Sequence, residues 1–426
     1  MAYAASVRIE TACGRSRSIR HPPTTTGRTV SALLRRSVRH AAVLAAFIVP
    51  PAFAQSVPVR DLPKASREIE DPFSLISGAI EIKPGQVLAI DGTEGALLHV
   101  DFAKGTRTPV GRQGSGPGEY RAPGALLRVR GDTIWLLDVM LQRITAFNPD
   151  LTPGTTFPMV MLDQSSMTVL TAPFFADRTG KVYSGAMKIQ GGVGGGGNEM
   201  QMTIPDSIGI VTYDARQPTR TEVGKVRFPV SGKPQISRAG NAMKYSMAFP
   251  GLIASDPWAV FPDGRVAIVR GATYQVDFIT PDGKKTTGPR NAYEPIKVTA
   301  ADQKAEMDEA RRMMEEQGKV AQKMLPAGFS MDFELLPPAS WPANYPALGA
   351  LSALAAPDGR LWVRRAIPFR IGREQWDVLD TNGKVVASWR LPPKTTIAAV
   401  GQGVVYSVRT DEDDLRYLQR VEIPKN

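Results

Sequence analysis

The sequence predicts an all-β fold: a six-bladed β-propeller of four-stranded antiparallel blades, with one helical insertion between blades four and five. Three observations predict it. A glycine-containing turn followed at once by a β-rich run recurs six times. The recurrences are spaced by one four-stranded unit, or by one unit plus an insertion. The last unit lacks an outer strand, and an unassigned segment near the start of the mature chain is available to supply it.

The turns are Pro84-Gly85, Gly131-Asp132, Arg178-Thr179-Gly180, Pro262-Asp263-Gly264, Pro357-Asp358-Gly359 and Gly401-Gln402-Gly403. Asp-Gly and Pro-Asp-Gly sequences supply the positive φ that tight hairpins need. The first residues after the turns, Gln86, Thr133, Lys181, Arg265, Arg360 and Val404, are 47, 48, 84, 95 and 44 positions apart. A third strand follows each time, from ALLHVDF in the first unit to LRYLQRVEI in the last. That last strand ends at Ile423, with only Pro424-Lys425-Asn426 after it. An open edge there would invite aggregation. Residues 57–70 are therefore expected to return as the fourth strand of the sixth blade.

Charge and leader narrow the class. The chain carries a net +11, but residues 1–54 hold eight Arg and one Glu, so 55–426 carries only +4. A nucleic-acid footprint needs its basic residues on the folded domain, and none is expected. Arg35, Arg36 and Arg39 precede an apolar run, Ala41 to Val49, and Ala52-Phe53-Ala54 offers a small-x-small cleavage site. Nine apolar residues are too few to span a bilayer, which needs about twenty. The expectation is a signal peptide over 1–54 and a single exported domain, 55–426, periplasmic or secreted. A monomer without a membrane span is expected. The lone cysteine, Cys13, lies in the leader, so the mature chain has no disulfide or thiolate chemistry.

Residues 114–149, GSGPGEYRAPGALLRVRGDTIWLLDVMLQRITAFNP, read as a glycine-rich loop and three strands. Gly114, Gly116, Gly118, Tyr120, Pro123, Gly124, Asp138, Arg143, Ile144 and Phe147 stand where the NHL repeat has its pattern, and this unit resembles that family of six-bladed propellers. The resemblance covers one blade closely and the others through their turn-strand rhythm. It implies a recognition scaffold. Asp138 and Arg143, in the family's paired positions, are read as a structural ion pair. Trp135 and Trp362 hold equivalent second-strand positions and are expected to fill the space between blades.

In an up-and-down blade the first and third turns lie on one face, and the second turns and the blade-to-blade connections on the other. The first set is short throughout. The long elements are 112–121, 187–205, 230–250 and 291–346, and all belong to the second set. Long loops gathered on one side of a rigid scaffold usually carry function. Within the insertion at about 291–346, Thr299 caps a helix with Asp302 three residues on. Met307, Ala310, Met314, Ala321 and Met324 or Leu325 form one stripe, and Pro326 ends it. The stripe is read as packing over the mouth of the propeller; the alternative is an adaptable surface for an apolar partner.

Other constellations are discounted. Gly191 to Gly197 lacks the Gly-Lys-Ser/Thr of a phosphate loop and reads as a flexible loop. The series Gly114, Gly116, Gly118 misses the dinucleotide spacing at Glu119. His99, the one histidine of the mature chain, lies in an alternating strand and supports no catalytic triad. Asp411, Glu412, Asp413 and Asp414 read as a solvated turn rather than a metal site. No catalytic residue is assigned.

The leading expectation is thus a scaffold without evident chemistry that recognises a protein or small-molecule ligand through its long-loop face. Arg112, Arg121, Tyr274, Arg364 and Arg365 are its candidate contacts, since Arg and Tyr dominate binding hot spots. The alternative is a lactonase- or lyase-like propeller enzyme acting on a small metabolite or sugar, with calcium held in the tunnel by carboxylates and carbonyls. No cofactor is otherwise expected.

Overall fold

Six antiparallel sheets follow one another along the chain, each built from a strand, a tight turn and its return. The computed structural model describes residues 57–424, apart from 160, 164–165, 189, 194–198, 204, 218, 230 and 325–327. The first strands of the six sheets are Ile76–Lys83, Pro123–Arg128, Thr168–Ala176, Trp258–Val260, Leu348–Ala355 and Thr395–Gly401. Each neighbours the next, and the sixth returns against the first. This is the arrangement of a β-propeller. Its turns have the expected chemistry: Gly264 and Gly359 sit at φ +83° and +84°, a region that strains any side chain.

The core lies in the seams between successive sheets. Trp135 of the second sheet is buried with Val182, Val211 and Tyr213 of the third, its ring edge-on to Phe157 at 5.0 Å. Trp362 of the fifth sheet is buried with Trp376, Trp389, Val405 and Val421 across to the sixth. Tyrosine hydroxyls cross several seams. Tyr120 donates to Val110 O at 3.0 Å, Tyr183 reaches Gly264 O of the fourth sheet at 3.4 Å, and Tyr406 donates to Glu81 at 2.6 Å. Each ring buries apolar area while its hydroxyl keeps a partner.

The segment after residue 57 staples two sheets rather than one. Val59–Asp61 runs parallel to Ser388–Arg390 on the fifth sheet. Arg67–Glu68 then pairs antiparallel with Arg420 and Gln419, as the outer strand of the sixth.

Three long connections merge. Gln190–Val193 and Glu199–Thr203 from within the third sheet, Ser231–Ala239 and Ala242–Ala248 from the next connection, and Ser330–Leu336 beyond the helix form one extra five-stranded sheet. Gly191 to Val193 thus belong to a strand; Gly194–Gly197 lie outside the described residues.

The Asp138–Arg143 ion pair does not form. Asp138 accepts the backbone N–H groups of Arg121, Ala122 and Leu141. Arg143 instead donates to the carbonyls of Ser115, Gly116 and Glu119. Both residues satisfy backbone groups of the connecting loop, which would otherwise be buried unpaired. Asp91, at the end of the same strand one sheet earlier, likewise accepts the amides of Ser74 and Leu75.

Candidate functional site

A cavity of about 900 Å³ opens on the face that carries the long connections. Its wall is built from connections between sheets, second-turn loops and the strand ends beside them, among them Leu348, Gly349, Thr395 and Thr396. Phe249 to Ile253 come from the link between the third and fourth sheets, and Glu306, Glu309 and Arg312 from the helix. Arg364 and Arg365 end the second strand of the fifth sheet, and Ala366 to Phe369 and Gly372 to Glu374 come from its loop. Lys394 lies in the link to the sixth sheet, and Arg416 starts that sheet's third strand.

The helix α1 (Ala300–Met324) is set by its first turn. Asp302 N donates to Thr299 Oγ1 at 3.2 Å, and Asp302 Oδ2 accepts Thr299 N at 2.9 Å. The hydrogen bonds from Thr299 hold the Asp302 carboxyl below its usual range, and Arg370 adds to this with Nε 2.5 Å from Oδ1. Four residues on, Glu306 Oε1 accepts the Tyr345 hydroxyl at 3.1 Å and Phe369 N at 3.2 Å. Met307, from the expected stripe, is buried, whereas Met313 is 50% exposed. Helix, Tyr345 and the loop after Arg365 therefore form one clamped wall.

Charge on the wall is unbalanced. Six cations, Arg312, Arg364, Arg365, Arg373, Lys394 and Arg416, face four carboxylates, Glu306, Glu309, Glu374 and Asp414. Arg312 pairs with Glu309, and Arg364 with Glu374 at 3.0 Å. Arg365 is neutralised from below, by Asp377 at 3.1 Å. Lys394 Nζ reaches Asp411 O at 3.3 Å, and Arg416 reaches Ser74 O; neither has a carboxylate partner among the described residues. Arg373 makes no hydrogen bond or ion pair among the described residues and acts on Asp61 only through space.

Of the five candidate contacts, the structure brings Arg364 and Arg365 together on this wall. Tyr274 stands directly beneath them, 0% exposed, and its hydroxyl donates to Asp377 at 2.5 Å. Burial first, then the Asp377 charge, raises that hydroxyl well above the usual tyrosine value. The Arg365 guanidinium lies over the rings of Tyr274 and Tyr293 at 5.4 and 5.3 Å, so Tyr274 positions an arginine and offers no free surface. Arg112 and Arg121 lie elsewhere. Arg112 is exposed and bonds Glu119 at 2.6 Å, and Arg121 is exposed on the same connection. Sequence reasoning missed Arg373, Lys394, Arg416 and Glu306. One signal was present: Arg364, Arg365, Arg370 and Arg373 fall within ten residues.

Among the described residues, no three His, Cys, Asp or Glu side chains gather as metal ligands. The carboxylates among the described residues offer calcium no cluster. Asp411 closes its own turn by accepting the amides of Asp413 and Leu415. No helix among the described residues is long and apolar enough to cross a membrane.

The sheets and the cavity above them define a β-propeller with a loop-walled pocket. No protein-family model matches the chain, and no curated protein does. Among solved structures it is similar to the calcium-binding protein regucalcin from Agrobacterium tumefaciens (12% identity, 86% of this chain and 98% of that one, TM-score 0.40). It is also similar to a putative exported protein from Bacteroides fragilis (10%, 87% and 95%, TM-score 0.43). A gluconolactonase from Xanthomonas campestris is a third (10%, 88% and 99%, TM-score 0.40).

Proposed function

We propose that this chain is an exported, NHL-like six-bladed propeller, with residues 1–54 as its signal peptide, that takes a small organic anion into the cavity of its long-loop face. The closed cycle of six first strands supports the blade count, and the helix between the fourth and fifth sheets supports the insertion. The observation that carries the ligand class is a concave wall with two more cations than carboxylates, on which Arg373, Lys394 and Arg416 have no carboxylate partner among the described residues. A pocket of this size suits a small molecule better than a flat protein face. Of the ligands open to the scaffold reading, the small molecule is therefore preferred.

A second reading, an enzyme acting on a small metabolite in the same cavity, shares that ligand class. It is favoured by Glu306 and Glu374, carboxylates on the wall within reach of a bound molecule. A sugar lactone, the substrate class the sequence reading holds open, is the one to assay first.

The test is calorimetric titration of the full chain with citrate and gluconate at two salt concentrations, repeated on the Arg373→Glu/Lys394→Glu double variant. Binding that weakens with salt and falls at least about tenfold in the variant supports the site, since two charges are reversed. Unchanged affinity in the variant, or no binding of either anion, sinks it. Lactone turnover at rates above buffer, lost in Glu374→Gln, establishes the second reading.

A further inference from the structure

A second cavity, of about 580 Å³, adjoins the first and shares Pro250, Leu252, Ile253, Tyr345 and Pro346 with it. No charged side chain stands on its wall, which is led by Tyr293, Trp341 and Pro342. All six cations belong to the first cavity. The border is built rather than accidental. The Arg365 guanidinium, on the first wall, lies 5.3 Å from the centre of the Tyr293 ring, on the second. Tyr345 is 2% exposed, with its hydroxyl committed to Glu306. Phe249 stacks near Trp341 at 5.7 Å and donates its amide to Leu336 O at 2.8 Å, which fixes the strip from Pro250 to Ile253. Ile253 itself is 40% exposed, an apolar side chain standing where the two cavities meet.

Such a division of charge has a chemical meaning. An anionic group gains from the first cavity and loses nothing by leaving the second empty. An apolar group gains most from the second: the first also offers apolar side chains such as Ile367 and Phe369, but burying a tail there beside guanidinium groups would cost their hydration. We propose that the two cavities are one site for an amphipathic organic anion, with its acidic head beside Arg373 and Lys394 and its aliphatic or aryl tail over Ile253 and Trp341. This inference rests on the anion reading above and names the part of the ligand which that reading leaves open.

Hexanoate, octanoate and decanoate, titrated into the full chain below their micellar concentrations, test it. Each added methylene that enters the apolar cavity strengthens binding about fourfold. Ala272→Phe fills the second cavity from an exposed position on its wall, and Ile253→Ser makes the border polar. Both variants flatten the chain-length series to under about twofold per methylene, and Ala272→Phe does so while hexanoate affinity holds. Arg373→Glu weakens all three acids by the same factor. A flat series in the unmodified protein overturns the tail site, as does a slope that both cavity variants leave unchanged. If citrate binds and none of the three acids does, the tail site falls alone. If neither citrate nor the acids bind, the anion reading falls with it.

Discussion

Arg365 and Asp377 meet at 3.1 Å beneath the cavity floor, their side chains 11% and 4% exposed. The aspartate is fully engaged: Oδ2 accepts Tyr274 at 2.5 Å, and Oδ1 accepts Ser388 at 2.6 Å. The arginine spends Nε on Ala347 O at 2.6 Å. A buried pair of this kind contributes little net stability against an apolar replacement, but removing one partner strands the other. Asp377→Ala is expected to cost about 3–5 kcal/mol in urea unfolding. Arg365→Met/Asp377→Leu is expected to recover most of that loss. A double variant no more stable than Asp377→Ala contradicts the account.

The start of α1 gives a second expectation. Asp302 is 1% exposed and both caps the helix and holds Arg370. Asp302→Ala removes the side-chain half of the capping box with Thr299, worth about 1 kcal/mol, and also leaves Arg370 without its carboxylate. Hydrogen exchange over residues 300–312 should rise sharply, with the six sheets unaffected. Arg370→Ala, at a half-exposed side chain, should move exchange far less. Equal effects from the two variants would show that the cap is not what holds the helix.

The turn-strand rhythm of the sheets was legible because its signals are local. Each hairpin needs a glycine at one position and alternating apolar residues beside it. The face on which the cavity opens could be read for a related reason, since connection length is written directly in the sequence. The merging of three insertions into one sheet was not. Pairs such as Tyr245 with Phe333 depend on a backbone ladder between segments nearly ninety positions apart. Arg143 misled because its partners are carbonyls of a glycine loop, which side-chain identities do not announce. Tyr274 misled because burial, not residue type, decides whether a tyrosine is a contact or a support.

His99 makes stability depend on pH. Burial lowers its basicity below the ordinary value of 6.5, against the opposing pull of Asp101, and its Nε2 is buried without a partner. The folded state therefore binds the proton less readily than the unfolded chain. The stability this contributes is full above pH 6.5 and is lost as pH falls through the lower folded value. Melting temperature should decline from pH 8 to pH 5, and His99→Leu should decline less steeply over that window. Parallel curves for the two proteins would remove His99 from the explanation.

The segment after residue 57 supplies the last expectation. Leu62 N donates to Arg390 O at 2.8 Å and Ile69 N to Leu418 O at 3.0 Å, so the segment ties into both the fifth and the sixth sheets. Glu68 takes Arg409 through two bonds, at 2.9 and 2.8 Å, and Ile69 is 1% exposed. Ile69→Ala should cost about 2–5 kcal/mol through the cavity it leaves. A chain beginning at Asp71 loses more than that contact, because Arg416–Glu422 becomes a bare sheet edge. Exposed edges recruit other chains, so this truncation should aggregate at concentrations where the longer protein stays monodisperse. Light scattering on the two chains measures the difference. A peptide of residues 57–70 added in trans should suppress the scattering by re-pairing the edge. Failure of the peptide to do so, with the peptide shown to bind, would locate the aggregation elsewhere and leave the outer strand a stabilising contact only.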